Sequence, residues 1–550
     1  MDLARLKRPW LYISILLFLL LLHGCSSLDY NRKPQPTVKE IKEEELDPLI
    51  VPETFIIGST ESPQLFNPLY SLDESSSQLE GMLFDGLVTV DEQLRPKPHL
   101  AEKIQQSENG LEYTVTIRRG VKFHDGKELT ADDVVFTYSI PLSPDYNGER
   151  SSDFEMIDSI EKLDKYTVKF RLREKDASFL PVTLSYGILP KHLLKNVQVA
   201  KLKEHKFNTS QPVGTGPFRF VKWEKNGFVE LAANEHYFLG KPRIKSIKYK
   251  IVHNQEALYE QLKNGEVHYA PEIELTNVKK IKRLRGLDVQ SNISHSYVFI
   301  GWNEKNELFQ DKKVRQALTM AINRKAIVRK ILHRQGKEAH IPETPIASIF
   351  TDEIQTLKYN RREAKKLLKE AGWEDTDRDG ILDREGKDFS FTLKTNKGNV
   401  VREKVALLVQ KQLKEIGIDV KTEFWEWEDL IKQISPPNWD YDALILEWSL
   451  SKFPNHFDIF HSSQREYGLN FVWWENEQAD LLLSKSRKIM DESERKQIYK
   501  EIFQIIEDEQ PYTVLYYPKE FRALPERLNG YIFHPKNYFY KVHEWSFSES

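Results

Sequence analysis

The sequence predicts an α/β protein of two lobes with a ligand cleft between them. Three observations carry that expectation. The chain is 550 residues long, and one hydrophobic core rarely grows past about 250–300 residues, so the chain must divide. Short apolar and period-two runs crowd the first half. The second half alternates helical and strand patterns, as α/β layering requires. Ligands commonly sit where two such domains meet, and hinge closure buries them.

The first 24 residues read as an address. Arg5, Lys7 and Arg8 form a basic start, and residues 10–22 are almost purely apolar. That run is short of the roughly 20 residues a membrane span needs and has the length of a signal-peptide core. It ends in Leu22-His23-Gly24-Cys25-Ser26-Ser27, which resembles a bacterial lipobox. Cys25 is the chain's 1 cysteine, so no internal disulfide or thiolate zinc site is available. A diacylglycerol and an N-acyl chain (palmitate or its like) on Cys25 would hold the protein to a membrane, at about 0.8 kcal/mol per buried CH₂. Residues 25–50 then read as the anchor and a tether too polar to fold alone.

Strands follow at 54–58, 112–118 and 165–171, the last two by period-two alternation, and 83–90 reads as a further strand or a helix-to-strand passage. Residues 218–223 and 228–232 form a hairpin-like pair, and 244–252 is a further strand. The second half begins with one helix over 314–330. Helices at 364–371 and 401–416 stop at Gly372 and Gly417, which suit C-caps. Strands are expected at 389–395, 418–424 and 443–448, and amphipathic helices at 478–490 and 494–506.

Charge and motif narrow the function. The net charge is -3 with 30% charged residues, so no basic excess supports nucleic-acid binding. The 11 Trp suit large cores or a pocket for apolar side chains. No G-x-S-x-G, P-loop or H-E-x-x-H is present, and Gly214-Thr215-Gly216-Pro217 lacks the Lys of a phosphate loop. The chain is therefore expected not to be an enzyme. Asp375, Asp377, Asp379 and Asp383 surround Gly380 as D-x-D-x-D-G-x-x-D, which can wrap Ca²⁺. An EF-hand would place Glu at the twelfth position, where Gly386 stands. The alternative is a polar surface turn between Gly372 and the strand at Phe389.

From Ala101 to Phe123 the chain resembles family 5 of the extracellular solute-binding proteins. The residues concerned are Ala101, Asn109, Glu112-Tyr113, Val115, Ile117-Arg118 and Gly120-Val121-Lys122-Phe123. Further blocks agree in order: Phe66-Asn67-Pro68-Leu69, Phe84-Asp85-Gly86-Leu87, Val213-Gly214-Thr215-Gly216-Pro217-Phe218, Val314-Arg315-Gln316-Ala317-Leu318 and Tyr441-Asp442-Ala443. The likeness covers roughly residues 50–540. It implies a periplasmic-binding-protein-like fold of the class II, cluster C type. Lobe I would comprise 51–86, 210–290 and 516–550, an inserted domain 87–209, and an α/β lobe II 291–515.

The resemblance also implies a role. A monomer would capture an oligopeptide outside the cell membrane, on the periplasmic side if there are two membranes. It would pass the peptide to the permease and ATPase subunits of an ABC importer and need no cofactor of its own. The same fold could hold a metal chelate, an opine or a sugar, or serve a sensory lipoprotein. By resemblance, Trp427 would pack over the ligand, unless it is an ordinary core Trp. Many relatives carry, three residues after the Trp of the Glu447-Trp448-Ser449-Leu450-Ser451 block, an Asp that pairs with the ligand's α-amine. Here that position is Ser451, so the amine anchor is missing unless Glu447 or another acid replaces it. Glu61 and Asn303 fall where strands of the family meet the cleft, though each could be a turn residue.

Overall fold

A computed structural model describes residues 53–466 and 468–548. The signal segment, Cys25 and the tether lie outside the described residues. Among the described residues no helix is long and apolar enough to cross a membrane.

Alternating burial along Thr54–Ser59 makes one strand of a four-stranded sheet. It pairs in parallel with Ser246–Ile251, which continues antiparallel to Phe228–Ala233 and then Phe218–Glu224. The expected hairpin is thus present, turning at Asn226 in the left-handed region. A second four-stranded sheet runs Ala101–Gln106, Glu112–Ile117, Thr167–Leu172, Ile157–Asp164, all antiparallel. Helix Ala131–Ser139, closed by a capping box between Thr130 and Asp133, packs on it. Segment 87–209 therefore has its own sheet. Its core is not separate: Tyr113, Val168 and Phe170 join Phe55, Ile57 and Ile247 in one contiguous apolar cluster.

The remaining large sheet runs Leu287–Ile293, Tyr512–Pro525, Ser296–Trp302, Ala443–Ser449, Ser390–Asn396, Asp419–Trp425, with Gly336–Glu338 beside the second of these. Strand Ser296–Trp302 is buried throughout because both of its faces are covered. Val298, Ile300 and Trp302 enter one core with Leu393 and Val405, while Tyr297 and Phe299 enter another with Leu444 and Phe503.

One sequence expectation needs correction, and one strand went unread. The single helix over 314–330 is two, Lys312–Ala321 and Arg324–Lys330. Ile322 is extended, and the Asn323 side chain accepts the Ala326 N–H at 2.9 Å, starting a new helix. The 14-residue strand Tyr512–Pro525 was not expected. Pro518 and the charges of Lys519, Glu520 and Arg522 hide its period in the sequence.

The Gly214-Thr215-Gly216 block is a packing device. A Cβ on Gly214 would stand 2.0 Å from the Leu83 carbonyl oxygen, and the Gly216 N–H donates to that oxygen at 2.9 Å. Only glycine lets the loop press against the end of helix Glu74–Leu83. His124 clamps the loop from the other side. Its Nδ1 accepts the Gly214 N–H at 3.2 Å, and its Nε2 donates to the Gly216 carbonyl at 3.1 Å. Burial holds its pKa down to about 4, against the opposing pull of the Gly216 carbonyl.

That environment predicts a pH response. The unfolded imidazole, with a pKa near 6.5, binds a proton that the folded one refuses. His124 therefore stabilises the fold fully above about pH 6.5 and loses that contribution as pH falls toward 4. His124→Gln keeps one acceptor and one donor without titrating. Denaturant unfolding of the variant between pH 7 and 4.5 should show about one proton fewer taken up than wild type. An unchanged pH slope would refute the assignment.

Candidate ligand cleft

A cleft of about 780 Å³ lies between the lobes, within the size range of small-ligand sites. Its first wall is helix Glu74–Leu83, begun by the Asp73 side chain, which accepts the Ser76 N–H at 2.8 Å. The opposite wall is the end of strand Ala443–Ser449 and the loop after it, from Leu450 to Asn455. Arg150, Asp153 and Tyr186 close one side, and the C-terminal residues His534, Lys536 and Tyr540 another.

Trp448 forms the aromatic part of the wall. Its ring is stacked between Phe299, at 6.2 Å, and Phe471, at 5.3 Å, and its Nε1 donates to the Tyr512 hydroxyl at 3.4 Å. These contacts fix one orientation of the ring. The loop behind it is equally fixed. The Leu450 N–H donates to the His295 carbonyl at 2.9 Å, and His295 Nε2 donates to the Ser451 carbonyl at 3.0 Å. Nδ1 of His295 then accepts from the Thr344 hydroxyl at 2.7 Å, which defines a neutral tautomer. Burial pushes this imidazole's pKa down, against the opposing field of Glu343. Glu343, itself fully buried, accepts the Thr344 N–H at 2.7 Å and pairs with His456 at 3.1 Å. The Ser451 hydroxyl donates to the Phe453 carbonyl.

The carboxylates on the cleft are mostly committed. Asp85 receives the hydroxyls of Thr215 at 2.8 Å and Tyr237 at 3.1 Å, and it contacts His99 at 2.7 Å. Asp153 receives the Tyr186 hydroxyl. Glu80 is pushed up to about 8 by burial, which outweighs the hydrogen bond from Ser71 and the nearby Arg150. It is therefore largely the neutral acid at pH 7.

The cleft brings together Trp448, Ser449 and Ser451 of the residues singled out from sequence. It does not gather the others. Glu447, next to Trp448 on the strand, points to the other face. Its carboxylate accepts the Ser296 hydroxyl at 2.6 Å and faces Arg402 at 3.9 Å. Asn303 is a buried turn residue whose amide donates to the Tyr441 carbonyl at 2.6 Å and accepts the Lys305 N–H at 3.1 Å. Trp427 starts helix Trp427–Ile434 and is 53% exposed, outside the cleft and outside any core. Glu61 accepts from the Ser75 hydroxyl at 3.3 Å, beside the cleft-lining helix. Arg150, Lys452 and Lys536 line the cleft and were not expected. Lys452 directly follows the block already singled out, whereas Arg150 and Lys536 come from distant segments that carry no motif.

At the aspartate-rich turn, Asp375, Asp377 and Asp379 are exposed and bring carboxylate oxygens within 4.8 Å of one another. Asp383 is not part of that group. Its carboxylate is taken by the N–H and hydroxyl of Thr376, both at 2.7 Å. Asp377 and Asp379 accept the N–H groups two residues on, at 3.2 and 2.7 Å, as in a polar surface turn.

Residues 95–468 match the family model of bacterial extracellular solute-binding proteins, family 5. The oligopeptide-binding protein AppA of Bacillus subtilis is 49% identical over 89% of this chain and 91% of its own length. Its structure in complex with a nonapeptide superposes with a TM-score of 0.77, at 48% identity, covering 90% of this chain and 99% of that one. NikZ from Campylobacter jejuni, solved with Ni(L-His), is 30% identical with a TM-score of 0.78, covering 90% and 100%. On the family match, the near full-length relatives and the two-lobed α/β fold with its interlobe cleft, the chain belongs to the bacterial extracellular solute-binding proteins of family 5.

Proposed function

We propose that this protein captures oligopeptides in its interlobe cleft and hands them to the permease of an ABC importer, acting as a lipoprotein anchored through Cys25. One observation carries the reading. The cleft of about 780 Å³ occurs in a chain that resembles, over nine-tenths of its length, a protein solved around a nonapeptide. The wall chemistry supports it. A fixed aromatic, Trp448, and the short hydroxyl side chains of Ser449 and Ser451 leave room for varied side chains. Likeness to NikZ favours a metal chelate as the second reading, at a lower identity.

Native mass spectrometry of the full-length protein in detergent, followed by denaturing release, separates the two. A ladder of peptide masses of mixed sequence is expected. A single non-peptide species would refute the oligopeptide reading.

The neutral Ser451 gives a second expectation. With no acid at that position, wild type should bind free and N-acetylated forms of one peptide within about threefold of each other. Ser451→Asp adds a charge-assisted bond to an α-amine and should favour the free form by about tenfold. Equal binding of both forms by the variant would show that the amine lies elsewhere.

Anchoring is checked in cells. Metabolic labelling with an alkyne fatty acid should mark the wild type. Cys25→Ser should lose the label and leave the membrane fraction. A variant still labelled and membrane-bound would remove Cys25 as the anchor.

A further inference from the structure

The charges facing the cleft are unequally satisfied. Asp85, Asp153 and Glu80 each have hydrogen-bond donors of their own, and Glu80 is largely protonated at pH 7. The cations have less. Lys452, in the loop of lobe II, makes no hydrogen bond and no ion pair among the described residues. Lys536, from the C-terminal segment of lobe I, donates across the cleft to the Ser449 hydroxyl at 3.0 Å and has no carboxylate within ion-pair distance among the described residues. The acids whose fields reach Lys536 are Glu74 and Glu520. Lys452 feels the charges of Lys536, Glu74 and Arg150, and all four residues line the cleft. Arg150 is spent on the Ser71 carbonyl, at 2.7 Å, and on the Tyr186 ring.

Lys452 and Lys536 line the same cleft, and Lys536 reaches Ser449, three residues before Lys452; ammonium groups so placed repel each other and lose water when the cleft closes. Both lysines are accordingly held below the usual lysine range, chiefly by burial. Such a pair is disfavoured while empty and favoured once an anion supplies charge-assisted hydrogen bonds to both. Because one lysine comes from each lobe, an anion between them also favours the closed arrangement.

We propose that Lys452 and Lys536 form a carboxylate-binding subsite, so that the cleft holds its peptide by an acidic group where the family pattern leads one to expect a grip on the amine. This rests on the oligopeptide reading above. The carboxylate has two sources, the peptide's C-terminus or a Glu or Asp side chain. The fold of charge around Ser451 is thus reversed: a hydroxyl stands where an acid is usual, and a base follows it.

The test uses three probes with full-length protein in detergent: hexa-alanine as the free acid, its C-terminal amide, and the amide with Glu at position three. Competitive native mass spectrometry reads their relative occupancy. At least one acidic probe should outcompete the neutral amide by about tenfold, and which one does so identifies the source. Lys452→Met and Lys536→Met should each shrink that preference to within about threefold, while Lys452→Arg retains it, which separates lost charge from lost folding. The proposal is overturned if wild type binds the neutral amide within about threefold of both acidic probes, or if both methionine variants keep the full preference. Binding of no probe at all would instead bring down the peptide reading, and the subsite with it.

Discussion

One strand belongs to both lobes, and the position of the cleft depends on it. Residues 512–516 of strand Tyr512–Pro525 pair with Ser296–Trp302 inside the large sheet, and residues 519–525 pair with Leu287–Ile293. Past Pro518 the same strand bridges Ala523 to Ala270, beside the first sheet's strands. The chain thus crosses between lobes as a two-stranded antiparallel ribbon. Such a ribbon resists stretching, because its backbone is already nearly extended, while its cross-strand hydrogen bonds let it bend and twist as a unit. Arg522 ties its far end to lobe I. Fully buried, it donates to the His534 carbonyl at 2.8 Å and the Tyr531 hydroxyl at 3.2 Å, and it lies 3.9 Å from the Phe533 ring. Those contacts place the C-terminal segment that delivers Lys536 to the cleft.

Burial sorts the ionisable groups of the cleft into two kinds. Carboxylates deep in lobe I are raised toward neutrality or satisfied by hydroxyls, so they read as fixed structure. Glu272 follows the same logic, pushed up to about 7 by burial and by neighbouring Glu61, with the Tyr538 hydroxyl donating to it at 2.7 Å. The ammonium groups sit at the ends of long, adjustable side chains and keep their charge available. A cleft built this way presents a rigid, hydrogen-bonded frame and a movable positive charge, a division of labour that suits ligands of varied sequence.

The parts of this arrangement legible in the sequence are those set by local pattern. Period-two alternation located the strands at 112–118 and 165–171, and glycine caps located the ends of the helices before Gly372 and Gly417. The family blocks were readable for the same reason, since each is contiguous. What escaped depends on the third dimension. The long strand is masked because Arg522 is fully buried, and Lys519 and Glu520 partly so, against partners remote in sequence. The break at Asn323 reflects a capping bond that outweighs an otherwise continuous helical pattern. Trp427 illustrates the limit of transfer: the motif gives a Trp at the end of the strand, but only the orientation of helix and lobe decides what its ring faces. Arg150 and Lys536 stand nearly 400 residues apart in the chain and line one cleft only because the C-terminal segment returns to it.

Closure of such a cleft obeys a simple accounting of contacts. A ligand shifts an open–closed equilibrium only by the difference between its affinities for the two states. Contacts made to one lobe alone are equal in both and change nothing. Trp448, held by Phe299 and Phe471 whatever the ligand does, belongs to that class: it lowers the entropy lost on binding without favouring closure. The groups that can favour closure are those whose ligand contacts exist only when both lobes are near. In this cleft they are the residues that reach across the gap, and among the described residues the bond from Lys536 to Ser449 is already made between side chains of the C-terminal segment and the lobe II wall. A ligand that takes up that ammonium replaces a neutral hydroxyl with a charged acceptor, and so gains most in the closed state.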